Sequence, residues 1–453
     1  MDESQHSHSA TGTLARASMA DAVRFTGKVV LPMLAGGLIA RRPRAMAAIE
    51  RWQLDRTAVA ALQRLRRRYG PGPLRLRVAG RSLVLLLAPA DVQHVLAESP
   101  EPFTPASREK VGALAHFQPH GLLISRGNVR TQRRHFNETV LEADRPLHRL
   151  SESVLAKTRA EFGLVSEDAG SAGHLDWEMF STGWWRTIRR ITLGDGARDA
   201  ENVTDLLGSI RADANWAYLR AARTGLRHRF LRELRTHIDA AESDSLAALL
   251  RETPAEQGVD RHGQVPHWLF AFDAAAIVAF RALALLATHP QQARQARAEL
   301  AGLDLSRPQE LPYLRACLLE SVRLWPTTPA VLRQNITAIP WHGRMIPSGT
   351  SFLVFTPFFH RDRQTVPHAH EFAPDIWLDG RAADHPALVP FSDGAARCPG
   401  RNLVLFVAGT VLATLLQRHR FHLRAPARLD ADHPLPFSLN NYGLDFAVEP
   451  IPR

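Results

Sequence analysis

The chain has 453 residues, 45% hydrophobic and 22% charged, which is enough apolar material for a sizeable core and too little charge for a disordered tail-like protein. Its two cysteines, Cys317 and Cys398, exclude a disulfide framework and point to a reducing compartment, so a cytoplasmic location is expected. The formal net charge of +11 is almost all arginine, with lysine only at Lys28, Lys110 and Lys157; the arginines are scattered without interleaved aromatics, which argues against nucleic acid as a partner.

Residues 1–13 are polar, contain His and Ser, and read as disordered. No secretory signal is apparent. The apolar run 29–40 is interrupted by Pro32, Gly36 and Gly37 and is too short to cross a bilayer; with Arg41, Arg42 and Arg44 behind it, it suits at most a membrane-surface contact. Residues 55–69 have helical spacing and end at Gly70-Pro71-Gly72-Pro73. Two strand patterns, 74–78 and 82–87, flank 79–81 as a hairpin, and Asp91 is placed to cap a helix running to 98. Residues 99–121 hold four prolines with Phe103 and Phe117 and read as a long irregular loop. A helix opens at Gly127, on which Arg130 and Arg134 share a face. Either a solvated basic face or a clamp for carboxylates fits that pair.

From 146 to 238 the pattern is helical, with breaks expected at 166–173 and 194–196 and with Trp184, Trp185 and Trp216 expected in the core. A polar break over 252–266 precedes the most apolar helix of the chain, 268–288, which is apolar on all sides and therefore buried. Asp273 interrupts it, and a carboxylate there needs a partner; a structural ion pair and a proton relay both fit. His289-Pro290 ends this helix. A polar helix follows over 291–301, and another over 313–324 carries Glu320 and Arg323 on one side, with Cys317 as a small core residue. Strands are expected over 330–336 and 351–355, with a hairpin over 341–349. The stretch 358–380 is irregular and leads to Pro390-Phe391-Ser392-Asp393-Gly394-Ala395-Ala396-Arg397-Cys398-Pro399-Gly400.

Cys398 stands just before the buried helical run 403–416, where the helix dipole and free N–H groups favour a thiolate. A thiolate so placed can be a nucleophile, a metal ligand or an axial haem ligand. Gly394 and Gly400 allow the backbone to approach a flat ligand, against which Phe391 could pack.

Glu320-x-x-Arg323, Pro374 to Trp377, and Phe391-x-x-Gly394-x-x-x-Cys398-x-Gly400, in this order and behind a buried, acid-bearing helix, resemble the cytochrome P-450 family. The resemblance runs from about Arg41 to the C-terminus. It implies a mainly α fold with small β-sheets, the triangular prism of that family, with 14–453 as one catalytic domain. It implies haem b (iron protoporphyrin IX) with Cys398 as the iron ligand, and Phe391, Gly394 and Gly400 around it. Glu320 and Arg323 match a structural ion-pair network. Arg134 and Arg333 match propionate ligands, and Arg130 stands where it could bind the same group. The distal pocket by this resemblance is lined by Phe117, Phe270, Ala271, Val331, Leu332 and Asn441.

Two departures bear on mechanism. The position two before the cysteine, where the family usually has Arg or His, is Ala396; an arginine appears at Arg397 instead and is a candidate cofactor-binding residue that would reach a haem propionate. On the distal helix the family's acid is kept as Asp273, but the alcohol that follows it is replaced by Ala274, which cannot hydrogen-bond. Asp273 and Ala274 are thus the expected catalytic positions, with protons arriving by ordered water, a substrate group or Asp273 itself. The implied activity is insertion of one oxygen atom from O2 into an organic small molecule, probed against a peroxide-driven oxygenase, an oxygen-independent rearrangement, and a haem-thiolate sensor or carrier without turnover. No flavin or nucleotide motif is present, so electrons are expected from a separate ferredoxin and its reductase, docking on a basic face that includes Arg397 and Arg401.

Overall fold

The most apolar stretch forms the helix Val265–Thr288, whose residues from Ala275 to Leu286 are almost all buried. It is the backbone of the main core: the helices Trp177–Leu193, Pro312–Leu324 and Arg401–Arg418 pack on it, Ser151–Ala172 packs on the first and last of these, and all share one continuous apolar cluster. It is also the one helix among the described residues long and apolar enough to cross a membrane, but 78% of that apolar window is buried by protein. This computed structural model describes residues 14–217, 219–341, 343–425 and 429–451. The expected disorder of 1–13 lies outside them.

The fold is mainly helical with three small sheets, as the sequence implies. The largest has six strands in the order Ala15–Arg16, Leu74–Val78, Arg81–Leu85, Ser351–Phe355, Ala330–Asn335 and Phe103–Thr104. Its hairpin pairs Leu74 with Leu85 and Val78 with Arg81, and Gly80 turns it at φ 79°. A second core packs beneath this sheet, between Val59, Leu62, Leu85, Phe103, Phe352 and Phe358. A three-stranded sheet joins His419–Ala425, Asp445–Pro450 and His174–Asp176, and a short hairpin pairs Ile339–Trp341 with Arg344–Ile346.

Several local expectations change. Asp91 is not a cap: the helix starts earlier, as Pro89–Ala97, with proline in its first turn and Ala88 at the N-cap. The irregular loop after it contains a short strand, Phe103–Thr104, and a helix, Arg108–Leu114, capped by Ser107 accepting from Lys110 N. The break expected at 166–173 is absent, and the helix runs unbroken to Ala172 before Gly173 turns at φ 68°. His419 explains this. It hydrogen-bonds Ser166 Oγ at 2.9 Å and lies against Gly170, where a Cβ would come within 2.7 Å of its ring. Tertiary contact there uses the small residues that composition alone reads as a turn. Pro266 opens its helix as an early-turn residue rather than preceding it. Trp184 is core, but Trp216 is 41% exposed, with Arg42 stacked over its ring at 4.7 Å.

Candidate functional site

The segment feeding the cysteine loop is held by one ion pair with no solvent exposure on either side chain. Arg323 donates Nε and Nη2 to the two Glu320 oxygens at 2.6 and 2.7 Å. Its remaining donors reach the carbonyls of His360, His368, Ala369 and Glu371. Glu320 in turn accepts from Ala373 N at 3.0 Å and Trp377 Nε1 at 2.8 Å. One guanidinium and one carboxylate therefore satisfy five backbone groups of the irregular chain from 360 to 377, beside the turns that chain forms by itself. A lysine could not reach so many acceptors in one plane.

Beyond that segment the loop turns back on itself. Cys398 N donates to Phe391 O at 3.0 Å, and a single 3-10 turn spans Gly394–Ala396. Gly394 has φ 64°, and a Cβ there would sit 2.2 Å from Leu96 O, so both conformation and space require glycine. Gly400 is different: it is not in the left-handed region, and its nearest neighbour would be Leu141 at 3.8 Å. Arg401–Arg418 begins directly after it. Burial pushes the Cys398 thiol up, and the Gly400 N–H, Arg134 and Arg401 only partly offset this. The helix N-terminus alone therefore does not make the thiolate the sequence suggests. Coordination to a metal would, because it displaces the proton outright.

The arginines separate into two groups. Arg134 Nη1 donates to Arg397 O at 2.6 Å and its Nε to Glu138 at 2.6 Å, tying the helix Gly127–Leu141 to the cysteine loop. Arg397 itself points outward, 54% exposed, and pairs with Asp393. Arg130 and Arg333 are buried. Arg333 reaches Ser99 Oγ at 2.9 Å and Ser392 Oγ at 3.0 Å, placing its guanidinium against the cysteine loop. Sequence reasoning missed Lys110, which lies in the stretch read as loop; its Nζ donates to Leu332 O at 3.3 Å. Burial, then Arg333 and Arg130, pushes its pKa down to about 7, and burial with neighbouring arginine charge pushes Arg130 and Arg333 each to about 10. Glu138, which raises the Arg130 pKa, is already bonded to Arg134, and no carboxylate is among the leading influences on Lys110 or Arg333. A buried, uncompensated positive cluster beside a cysteine loop fits a cofactor that carries two carboxylates, as haem b does.

On the helix Val265–Thr288, Asp273 pairs with Arg211 at 2.5 Å, so the structural ion pair of the two readings is present. Arg211 also donates to Ile39 O and lies over the Phe270 ring at 4.9 Å. Phe270 meets Phe117 edge-on at 5.5 Å, bringing those two expected pocket residues together. Phe272 faces a neighbouring helix, its carbonyl accepting from Trp184 Nε1. Ala271 and Ala274 are partly exposed on the same helix. The strand Ala330–Asn335 alternates, so Val331 shares a face with Arg333 while Leu332 points the other way; these two do not line one wall together. Gln118 and His267 were not foreseen: both Gln118 amide atoms and His267 Nδ1 are buried without partners. Asn441, in a turn that contacts the helix Val265–Thr288, has neither side-chain amide atom bonded.

Comparison with known proteins agrees with this geometry. A family model described as Cytochrome P450 matches residues 264–446, which contain the distal helix, the Glu320–Arg323 pair and the cysteine loop. Among curated relatives, cyclooctat-9-en-7-ol 5-monooxygenase of Streptomyces melanosporofaciens is 30% identical over 40% of this chain and 42% of its own. Cytochrome P450 734A1 of Arabidopsis thaliana is 35% identical over 31% of this chain and 29% of its own, and probable cytochrome P450 4s3 of Drosophila melanogaster 28% over 38% and 34%. The chain thus spans about a third of the length of the curated relatives it matches. Among solved structures, retinoic acid bound cyanobacterial CYP120A1 superposes with a TM-score of 0.71 at 18% identity, over 86% of this chain and 94% of that one. A cytochrome P450, CYP102L1, gives 0.70 at 18% identity over 87% and 94%. At that identity the two structures establish the fold. That family binds haem b through a cysteine thiolate and its members are monooxygenases. Residues 264–446 of this chain thus match the cytochrome P450 family, with relatives in an insect, a plant and a bacterium, and the chain shares that family's fold.

Proposed function

We propose that this chain is a haem-thiolate monooxygenase that inserts one oxygen atom from O2 into an organic small molecule, and that residues 14–453 act as one catalytic domain. The observation that supports it most is the cysteine loop beside a buried excess of positive charge. Cys398 would hold the iron, Phe391 would pack beside it, and Gly394 and Gly400 would let the backbone approach. Arg130, Arg333 and Lys110 would hold the propionates, while Arg134 fixes the loop through Arg397 O. Haem b bound through a thiolate supplies the chemistry of dioxygen activation.

The chain's own part is to shape the pocket and manage protons. Phe117 and Phe270 form an apolar wall that excludes water. Asp273 is the acid nearest the expected reaction zone, and it can pass a proton only when water replaces Arg211 at its carboxylate. Ala274 offers no hydroxyl to orient that water. Trp184 and the buried length of the helix hold the Asp273 backbone in place.

Electrons would come from separate proteins. An acidic ferredoxin suits the net charge of +11 and the exposed Arg397 beside the cysteine loop. The reading is tested by substrate-dependent NADPH consumption with a surrogate ferredoxin and reductase. Product formed in step with NADPH is expected. Turnover by hydrogen peroxide alone at the same rate would replace this reading with a peroxide-driven one, and no turnover with any oxidant would replace it with a carrier.

A further inference from the structure

Between the N-terminal helices and the far half of the distal helix lies a chamber of about 70 Å³. Its wall is mostly apolar, with Val29, Met33, Ile49, Ile277, Trp325 and Phe355 among its members. Five polar residues interrupt that wall: Arg41, Asp55, Arg281, Thr327 and Asn441.

Their bonding is uneven. Asp55 accepts from Ser438 Oγ at 2.7 Å. Arg41 donates to the carbonyls of Gly37 and Thr327. Arg281 donates to Trp325 O at 3.1 Å and to Leu439 O, yet its Nε is buried without an acceptor. Asn441 is 1% exposed and neither atom of its amide has a partner. Each such buried, unpaired group is destabilising, which is why native proteins rarely retain one without a ligand or water to satisfy it. The charges do not balance either. Two guanidiniums line the chamber against one carboxylate. Arg41 lies close enough to Arg281 that, after burial, it is the next cause lowering the Arg281 pKa to about 10. Glu50 and Asp273 contribute negative field, but neither lines the chamber, and Asp273 is already held by Arg211.

We propose that this chamber binds the carboxylate head of an otherwise apolar substrate, with Arg281 Nε and Asn441 Nδ2 donating to it and Arg41 supplying further positive charge. The volume suits a head group of a few heavy atoms. Ile277 stands one helical turn beyond Ala274, so a substrate anchored here has its apolar body beside the distal pocket. An alcohol would leave the positive charge unanswered, and an amide would satisfy Asn441 but not the guanidiniums. The inference rests on the monooxygenase reading, because it takes the ligand to be that enzyme's substrate.

The test uses purified protein carrying its haem. The reduced carbon monoxide spectrum is recorded first and judges the haem-thiolate reading by itself. Isothermal titration then compares saturated carboxylates from octanoate to hexadecanoate with the matching alcohols, amides and methyl esters. Because a hydrogen bond to a charged group contributes about 1.5–3 kcal/mol, the best carboxylate should bind roughly 10- to 100-fold more tightly than its alcohol. Asn441→Leu, which removes no side-chain hydrogen bond of the fold, should lower carboxylate affinity about tenfold and leave the alcohol unchanged. Arg281→Lys keeps the charge but loses Nε and should weaken carboxylate binding; because it also gives up a bond to Trp325 O or Leu439 O, its helicity and haem content are compared with the parent first. Absence of carboxylate binding across the series, equal affinity for acid and alcohol, or an Asn441→Leu protein with unchanged carboxylate affinity would overturn the inference, even in a protein with a thiolate spectrum. Carboxylate-selective binding without a thiolate spectrum would instead retain the chamber and reject the proposed function.

Discussion

Replacing Arg323 by methionine should be the most damaging single change near the cysteine loop. The substitution leaves Glu320 charged at a site with no solvent access, held only by Ala373 N and Trp377 Nε1. Breaking a buried pair in this way costs about 3–5 kcal/mol. The carbonyls of His360, His368, Ala369 and Glu371 also lose their donor, at roughly 1 kcal/mol each. Against a typical net stability of about 5–15 kcal/mol, Arg323→Met should fold poorly or unfold at low denaturant, with a haem-to-protein ratio well below that of the parent. Removing both charges, in Glu320→Met/Arg323→Met, eliminates the orphaned carboxylate and should recover about 2 kcal/mol or more relative to Arg323→Met alone. Urea unfolding followed by far-ultraviolet circular dichroism, with haem content measured on the same samples, gives the cycle. If Arg323→Met unfolds within about 1 kcal/mol of the parent, or if the double change costs the sum of the single ones, the pair does not organise the loop and the reasoning fails.

The two loop glycines should behave oppositely. Gly394→Ala places a Cβ 2.2 Å from Leu96 O at φ 64° and should lower stability by about 2 kcal/mol or more and reduce haem retention, whereas Gly400→Ala, with open contacts, should fold normally; equal stability for both would contradict the loop geometry. His360 is buried and neutral, its pKa pushed down to about 3 by burial and then by Arg323. An unfolded histidine titrates near 6.5, so its contribution is complete above that pH and is lost as pH falls toward 3, reaching about 3 kcal/mol by pH 4.5. His360→Gln should therefore flatten the fall in urea midpoint between pH 7 and 4.5, and a parallel fall would refute the assignment. Ala274→Thr should raise product formed per NADPH while changing substrate affinity by less than about twofold. Equal coupling in both proteins would show that the missing hydroxyl does not limit proton delivery.

What the sequence disclosed depended on how local the determining physics was. The distal helix was legible because it is apolar on every side, and its end at His289-Pro290 because proline cannot continue a helix. Glu320 and Arg323 were legible as neighbours because i, i+3 spacing brings them together on any helix, but the four carbonyls and the indole that complete their network come from residues 37 to 57 positions away and leave no trace in spacing. Ser166 and Gly170 misled for the same reason: their use is set by His419, far along the chain. Arg130 and Arg134, alike in sequence, differ because one turns inward and the other reaches Arg397 O. Lys110 was invisible because a capped helix of seven residues lies inside a proline-rich stretch. Val331 and Leu332, both pocket residues by position in the family pattern, lie on opposite faces of their strand, which that pattern does not display. Arg211, the partner of Asp273, sits 62 residues before it, so the acid's need for a partner could be stated from the sequence but the partner could not be named.

The function proposed for this protein requires Cys398 to bind haem iron as a thiolate. The most direct measurement is the absorption spectrum of the reduced carbon monoxide complex of purified protein, taken beside Cys398→Ser. The parent should show the red-shifted Soret band characteristic of thiolate ligation, and the serine protein should lack it while remaining helical by circular dichroism. A parent without that band, or a serine variant that retains it, would contradict the account.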